Sequence, residues 1–183
     1  VTGSPTGDLN NGYYGYRCAS SGDRHVVAQR GNPRVHVYRD GVVEQSLVPT
    51  LVSMVNNQAV DVPVDVQNNF VALGVPTDNG GRGRVHVWLH NGSSWQFLQV
   101  LDGGATAMVG GQFGSSLAFA GELLMVGAPA ENFVGRVYVF AWNGTSFQFQ
   151  GNLAIPAAVS GSFAARIGQS MAVDRADQGV LFV

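Results

Sequence analysis

The feature of this chain that most constrains its fold is a short pattern that occurs three times at nearly constant spacing. The copies begin at residues 34, 84 and 136, and valine alternates with polar or aromatic residues in each. They are Arg34-Val35-His36-Val37-Tyr38, Arg84-Val85-His86-Val87-Trp88 and Arg136-Val137-Tyr138-Val139-Phe140. A period of about 50 residues is typical of folds built from one repeated supersecondary unit.

Two shorter elements recur with the same period. Gly74-Val75-Pro76 and Gly127-Ala128-Pro129 precede the later copies, and Val26-Val27-Ala28-Gln29 fills that place in the first. A large apolar or aromatic residue followed by glycine opens three units, with Val60-Asp61 in that place in the second; these are Tyr14-Gly15, Phe113-Gly114 and Ile167-Gly168. The elements divide the chain into a leading segment and four repeats, with bounds 1–11, 12–59, 60–112, 113–166 and 167–183.

The third repeat contains four short apolar segments bounded by turn-forming residues, which indicates four β-strands. They are Phe113 to Phe119, Leu123 to Gly127, Arg136 to Trp142 and Phe147 to Leu153. Asp40-Gly41, Asn91-Gly92 and Asn143-Gly144 tolerate positive φ angles, so each predicts a two-residue turn between the third and fourth strands of its repeat. No segment carries an uninterrupted apolar stripe at helical spacing, and the sequence therefore predicts an all-β fold.

The third strand of the third repeat is apolar on both faces. Alternation places Val137 and Val139 on one face and Tyr138 and Phe140 on the other. Such a sheet must be covered on both sides, and stacking like sheets around an axis achieves this. We therefore predict a β-propeller of four-stranded blades, with about three and a half blades in this chain. Because an open set of blades exposes apolar faces, we expect a longer natural chain or a second copy that completes the ring.

The order and spacing of these motifs carry a family resemblance. Phe113 to Ala118, Val126 to Pro129 and Gly135 to Phe140 resemble an FG-GAP repeat, the unit of the integrin α-subunit propeller. The likeness is nearly complete in the third repeat and weaker in the others. It implies a seven-bladed, extracellular or cell-surface module that binds a protein or glycan through loops on one rim.

One departure from the integrin pattern concerns calcium, which alternating acidic residues bind between the first and second strands of many integrin blades. Here that turn is only Ser21-Gly22-Asp23 in the first repeat and Ala120-Gly121-Glu122 in the third. The two acids of the stretch from Asp174 to Gly179 do not have the spacing of such a loop. The chain therefore resembles the calcium-free variety, and we assign it no metal and no cofactor.

Composition excludes several functional classes. The net charge is −2, and the ten basic residues are arginines scattered singly, so there is no basic patch for nucleic acid. The absence of lysine excludes the phosphate-binding loop and Schiff-base chemistry. No apolar run approaches the roughly 18 residues of a membrane-spanning helix, and we therefore predict no membrane insertion.

Arg34, Arg84 and Arg136 begin equivalent strands and are candidate ligand-facing residues. Guanidinium groups at equal radius around an axis would grip carboxylates or sulfated sugars. The alternative is that they are solvated, or that they pair between blades with acids such as Asp78 and Glu131.

Asn91 and Asn143 are candidate N-glycosylation sites. Each begins an Asn-Gly-Ser/Thr triplet on the same hairpin of successive repeats. The alternative is that Asn-Gly is simply a favoured turn sequence.

Several reactive side chains recur at one repeat position, which favours packing over chemistry. The stretch Gly114-Ser115-Ser116-Leu117-Ala118 is similar to a serine-nucleophile turn, but residues 168–172 repeat that sequence in the same strand position. His36 and His86 share their position with Tyr138, which predicts buried blade-packing imidazoles and no zinc ligands.

The single cysteine, Cys18, cannot form an internal disulfide. It occupies the repeat position of Leu117 and Met171. Because free cysteine behaves as a small hydrophobic residue, this predicts a buried core thiol.

The sequence thus favours a non-catalytic extracellular propeller for adhesion, ligand binding or surface assembly. One alternative is a polysaccharide lyase or hydrolase with its site in the central channel, for which Asp65 and His86 would be the residues to test. Another is a purely architectural filament subunit. No nucleophile or pair of carboxylates occurs in a context that favours an enzyme.

Overall fold

The computed structural model describes residues 13–30, 33–50, 61–153, 165–174 and 179–182. These residues form three four-stranded antiparallel sheets and one two-stranded sheet. Within each sheet, every strand pairs with the next strand along the chain. The predicted all-β class is confirmed. The predicted leading segment 1–11, residues 51–60, residues 154–164 of the third repeat and residues 175–178 and 183 of the fourth lie outside the described residues.

The sheets have the following bounds. The first blade contains β1 (Tyr13–Ser21), β2 (Arg24–Arg30), β3 (Arg34–Arg39) and β4 (Val42–Leu47). The second blade contains β5 (Val64–Gln67), β6 (Phe70–Val75), β7 (Arg84–His90) and β8 (Trp95–Leu101). The third blade contains β9 (Ser116–Ala120), β10 (Leu123–Ala128), β11 (Arg136–Trp142) and β12 (Phe147–Asn152). The partial fourth blade contains β13 (Met171–Asp174) and β14 (Gly179–Phe182). Three short helical turns lie between strands, at α1 (Asp78–Gly81), Gly104–Thr106 and Glu131–Phe133.

The blades stack in chain order through their first strands. Strand β1 contacts β5, β5 contacts β9, and β9 contacts β13. One apolar cluster fills the space between the first and second blades, and a second cluster fills the space between the second and third. In the third blade Tyr138 and Phe140 face the second blade, while Val137 and Val139 face the fourth. The predicted propeller arrangement of blades is confirmed.

Glycine pairs let successive blades approach closely. In the second blade a Cβ on Gly83 would lie 2.8 Å from the carbonyl carbon and from the amide nitrogen of Phe113, and a Cβ on Gly74 would lie 3.0 Å from the carbonyl carbon of Gly114. The third blade repeats this geometry, since Gly127 and Gly135 lie equally close to the backbone of residues 166–168 of the fourth blade. The aromatic-glycine and glycine-x-proline elements of the repeat are thus the two halves of one junction.

The segment Phe113–Ser115, predicted as the start of a strand, is instead a turn. Gly114 has a φ of 90°, and β9 begins only at Ser116. The Phe113 N–H donates to the carbonyl of Arg82 at 3.0 Å, and the Ile167 N–H donates to the carbonyl of Val134 at 2.9 Å. In the third and fourth repeats the residue before the glycine therefore bonds to the preceding blade, whereas the Gly114 and Ser115 N–H groups both donate to the Gly127 carbonyl of their own blade, at 2.9 and 3.1 Å.

A glutamine amide joins the outer strands of neighbouring blades. The Gln45 side chain donates to the Trp95 carbonyl at 3.0 Å and accepts from the Trp95 N–H at 2.9 Å. Gln99 makes the same two hydrogen bonds to Phe147, at 3.1 and 2.7 Å. Each amide donates to and accepts from the backbone of one residue, as a paired β-strand would, and this fixes the register between the two blades.

The turn at Asp40-Gly41 is the predicted two-residue turn. Arg39 pairs with Val42 across it, and the two turn residues have φ angles of 52° and 77°. Positive φ at both positions is the type I′ geometry that matches the twist of a hairpin.

The other two predicted two-residue turns are four-residue loops. His90 pairs with Trp95 and Trp142 pairs with Phe147, so that residues 91–94 and 143–146 make the connections. The Asn91 Oδ1 accepts the N–H groups of residues 93 and 94 at 3.0 Å, and the Asn143 side chain does the same in its loop. The asparagine side chain thus closes a wider loop. The Asn-Gly dipeptide alone does not distinguish this four-residue loop from a two-residue turn.

Cys18 is exposed, so the predicted buried thiol is wrong. Its equivalent Leu117 is buried because it faces the second blade. Cys18 faces the opposite side of the first blade, where Tyr14 and Tyr16 are also exposed and no other described blade packs. The repeat position was assigned correctly, but burial depends on the neighbouring blade.

Candidate functional site

A groove of about 290 Å³ lies between the second and third blades, beside the segment that connects them. One side is formed by the end of β8 and by residues 102–104, and the other by Tyr138, Phe140 and Phe149. Phe149 is 53% exposed, and its ring centre lies 5.7 Å from that of Phe140 and 5.9 Å from that of Tyr138. The groove is thus a largely apolar cleft with a fixed aromatic wall.

Behind the aromatic wall lies a buried ionic cluster. The Tyr138 hydroxyl donates to the carboxylate of Glu131 at 2.8 Å, and the Arg136 guanidinium lies 3.1 Å from that carboxylate. Burial and then the hydrogen bond with Glu131 raise the pKa of the Tyr138 hydroxyl. Because Glu131 is only 1% exposed, its charge is stabilised by these two partners and not by water.

The second blade carries the equivalent groups with shorter side chains. Asp78 is fully buried and lies 3.3 Å from the Arg84 guanidinium. His86 takes the position of Tyr138 and is also fully buried, but among the described residues neither of its ring nitrogens has a hydrogen-bond partner. The blade thus keeps the acid-arginine pair and replaces the tyrosine hydroxyl with an isolated imidazole.

The three predicted arginines lie at the starts of β3, β7 and β11, each half-buried. Arg84 and Arg136 pair with the acids that the sequence suggested as partners, Asp78 and Glu131, but within one blade and not between blades. Arg34 lies close to His36, and its charge adds to the effect of burial in lowering the pKa of that imidazole. A ligand-facing role for the three remains a prediction.

Burial lowers the pKa of His86 from 6.5 to about 4. Between pH 6.5 and 4 the unfolded chain therefore takes up a proton at His86 that the folded chain does not. His86 costs no stability above pH 6.5, and the free energy of unfolding falls as the pH drops towards 4. This loss amounts to about 3 kcal/mol, measured as the change in unfolding free energy between pH 7 and pH 4, and we expect it to be absent in His86→Phe. His25→Gln, at an exposed imidazole, is the control for the loss of a histidine as such. An equal slope in wild type and His86→Phe would contradict the assignment.

A second cavity, of about 420 Å³, lies where the first strands of the blades meet. Two of the serines that line it form hydrogen bonds within the fold: the Ser116 hydroxyl donates to the Gly168 carbonyl at 2.6 Å, and the Ser115 hydroxyl donates to the Gln112 carbonyl at 2.8 Å. Asp65 is buried, and its carboxylate accepts the N–H groups of Val66 and Phe119 at 2.9 and 2.8 Å. The Ser116 and Asp65 bonds join successive blades, and the Ser115 bond closes a local turn.

The candidate glycosylation residues Asn91 and Asn143 are exposed, on equivalent loops. The Oδ1 atom of each accepts backbone N–H groups of its own loop. Modification of either asparagine remains a prediction.

Two features are absent from the described residues. No helix among them is long and apolar enough to cross a membrane. No three His, Cys, Asp or Glu side chains in that part of the chain are grouped as metal ligands.

Sequence reasoning did not predict the groove. Phe149 has a repeat equivalent in Phe97, which is also exposed, and this recurrence was the available signal. Residues 102–104, on the other side of the groove, carry no such signal, because they lie in the connection between two blades and only the packing of those blades determines its path.

No family model and no curated protein matches the chain. Among solved structures it is similar to the N-terminal domain of Nup159, with 12% sequence identity and a TM-score of 0.46. The likeness covers 86% of this chain and 35% of that one, so the chain spans about a third of that structure's length. The fold class therefore depends on the sheets and junctions described above.

Proposed function

We propose that the chain is a non-catalytic module of the FG-GAP type that binds a protein or glycan at a cell surface or outside the cell. The FG-GAP assignment is supported by the junctions, where an aromatic-glycine turn docks on the glycines that precede the proline and the arginine-valine strand. These contacts give the motifs a structural reason to recur together.

The groove between the second and third blades is the observation that carries the binding role. It is open beside an exposed aromatic ring, and aromatic residues are enriched where proteins bind ligands. Three groups that an enzyme on this scaffold could use, the hydroxyls of Ser115 and Ser116 and the carboxylate of Asp65, are engaged in hydrogen bonds within the fold. Fold alone would not distinguish the two roles, since propellers support many functions.

The test combines a binding assay with an activity assay on the 183-residue chain. We expect saturable binding to at least one member of a panel of immobilised extracellular-matrix proteins and oligosaccharides, reduced by Phe149→Ala and unchanged by Phe97→Ala. Phe97 is the matched control because it is 43% exposed at the equivalent position of the second blade. Release of new chain ends from alginate, pectin or carrageenan by the wild-type protein would contradict the proposal and favour the enzyme.

A further inference from the structure

We propose that the loop between β7 and β8 of the second blade modifies itself. The Gly92 nitrogen attacks the side-chain amide of Asn91 with His90 as general base, and the asparagine becomes aspartate or isoaspartate. This inference adds a covalent modification site and does not depend on the binding function proposed above. Three features of the loop carry it: a base at the attacking nitrogen, hydrogen-bond donors at the amide oxygen, and a second loop that has the donors without the base.

The reaction closes a five-membered ring between neighbouring residues. A bond forms between the Gly92 nitrogen and Cγ of Asn91, the Gly92 N–H proton passes to Nδ1 of His90, and an electron pair moves onto Oδ1. His90 then gives the proton to Nδ2, the bond from Cγ to Nδ2 breaks, and ammonia leaves a cyclic succinimide. Water opens this ring at either of its two carbonyls, which gives aspartate or isoaspartate.

His90 is placed to act as the base. The Gly92 N–H donates to His90 Nδ1 at 3.2 Å, within the reach of proton transfer to a general base. Nδ1 is therefore the unprotonated nitrogen, and the ring hydrogen lies on Nε2, which is 3.5 Å from the Glu44 carboxylate. The imidazole is buried and packs on Trp95, with 5.1 Å between the ring centres. The carboxylate behind the imidazole would orient it and stabilise the imidazolium that forms, as in a catalytic triad.

Backbone N–H groups are placed at the oxygen where negative charge develops. The Asn91 Oδ1 accepts the N–H groups of Ser93 and Ser94, both at 3.0 Å. Because these donors are in position before the reaction, they stabilise the oxyanion of the tetrahedral intermediate without reorganisation. Asn91 is exposed, so water reaches the succinimide once it has formed.

The third blade provides an internal control in the same chain. Its loop carries the same dipeptide, Asn143-Gly144, and the Asn143 Oδ1 accepts two backbone N–H groups at 3.0 and 2.9 Å. Trp142 occupies the position of His90, and an indole nitrogen donates hydrogen bonds but does not accept a proton. The two loops thus share the attacking nitrogen and the oxyanion donors and differ in the base.

The test compares the two loops during incubation of the unglycosylated 183-residue chain at neutral pH. Trypsin cleavage after Arg84, Arg136 and Arg166 puts Asn91 and Asn143 on separate peptides, and mass spectrometry measures how much of each amide has become a carboxylate. We expect Asn91 to convert at least about tenfold faster than Asn143 in the folded chain. In concentrated urea the two rates should become similar, because unfolding removes the base from its place.

Two variants test the base and the carboxylate behind it. His90→Phe keeps an aromatic ring and should slow Asn91 by about tenfold or more while leaving the Asn143 rate unchanged. Glu44→Gln keeps an oxygen that can accept from the Trp95 indole N–H, which lies 3.0 Å from the carboxylate. It should slow Asn91 and raise the share of the tautomer with hydrogen on Nδ1, which nitrogen NMR of the His90 ring reports.

Equal rates at Asn91 and Asn143 in the folded chain would overturn the proposal. A His90→Phe chain in which Asn91 remains the faster site would also overturn it, since loop geometry and not the base would then set the rate. If His90→Phe converts both loops at the rate seen in urea, the variant has unfolded and Glu44→Gln decides. A slower Asn91 in Glu44→Gln then supports the assignment, and an unchanged rate contradicts it.

Discussion

Gly83→Ala is expected to destabilise the chain by more than about 4 kcal/mol, a loss typical of severe backbone or core disruption. The new methyl group would lie 2.8 Å from two backbone atoms of Phe113 and closer still to its carbonyl oxygen. These atoms cannot rotate away as a side chain would, because the Phe113 N–H is bonded to the Arg82 carbonyl and its ring is fully buried. Relief therefore requires the second and third blades to separate. Urea denaturation followed by tryptophan fluorescence measures the loss.

Gly144→Ala is the matched control for this prediction. Gly144 has a φ of 96° against 85° for Gly83, but a Cβ at Gly144 would meet nothing within 4 Å. Its substitution should cost only the strain of a left-handed backbone, about 1 to 2 kcal/mol. If the two variants lose equal stability, backbone strain alone accounts for Gly83, and the close approach of the blades is unimportant.

Repetition in the sequence predicted the fold because each blade must present apolar residues to two neighbours. The strand starts predicted for the third repeat agree with the structure in three strands: β10, β11 and β12 begin at the predicted residues Leu123, Arg136 and Phe147. The exception is Phe113–Ser115, which has strand-like composition but forms a turn whose first residue bonds to the preceding blade. Composition within a repeat cannot show which blade a segment bonds to, and this accounts for the difference.

The site was less predictable than the fold because it depends on contacts between blades and on side-chain length. The sequence suggested Asp78 and Glu131 as arginine partners, but the helical turns that follow β6 and β10 bring each acid back to its own blade. Tyr138 reaches Glu131, whereas the shorter His86 is not bonded to Asp78. Equivalent positions therefore differ in chemistry although the backbone is repeated.

Arg136→Met is expected to destabilise the chain by about 3 to 5 kcal/mol, the cost of removing one partner from a buried ion pair. The Glu131 carboxylate, 1% exposed, would retain only the Tyr138 hydroxyl as a partner among the contacts described here. Adding Glu131→Gln to the same chain should recover most of the loss, since the amide oxygen still accepts from Tyr138 and no buried charge remains. Both variants are measured by urea denaturation at pH 7.

The control for burial is the pair between Arg39 and Asp23, which is shorter but exposed. Its atoms lie 2.7 Å apart, against 3.1 Å for Arg136 and Glu131, while its side chains are 52% and 46% exposed. Arg39→Met should therefore destabilise the chain far less than Arg136→Met does, because water solvates the remaining aspartate. If Arg39→Met costs as much stability as Arg136→Met, the distance between the charges would matter more than their burial.

If the double variant is no more stable than Arg136→Met, the loss would come from the packing of the arginine stem and not from an uncompensated charge beneath the groove.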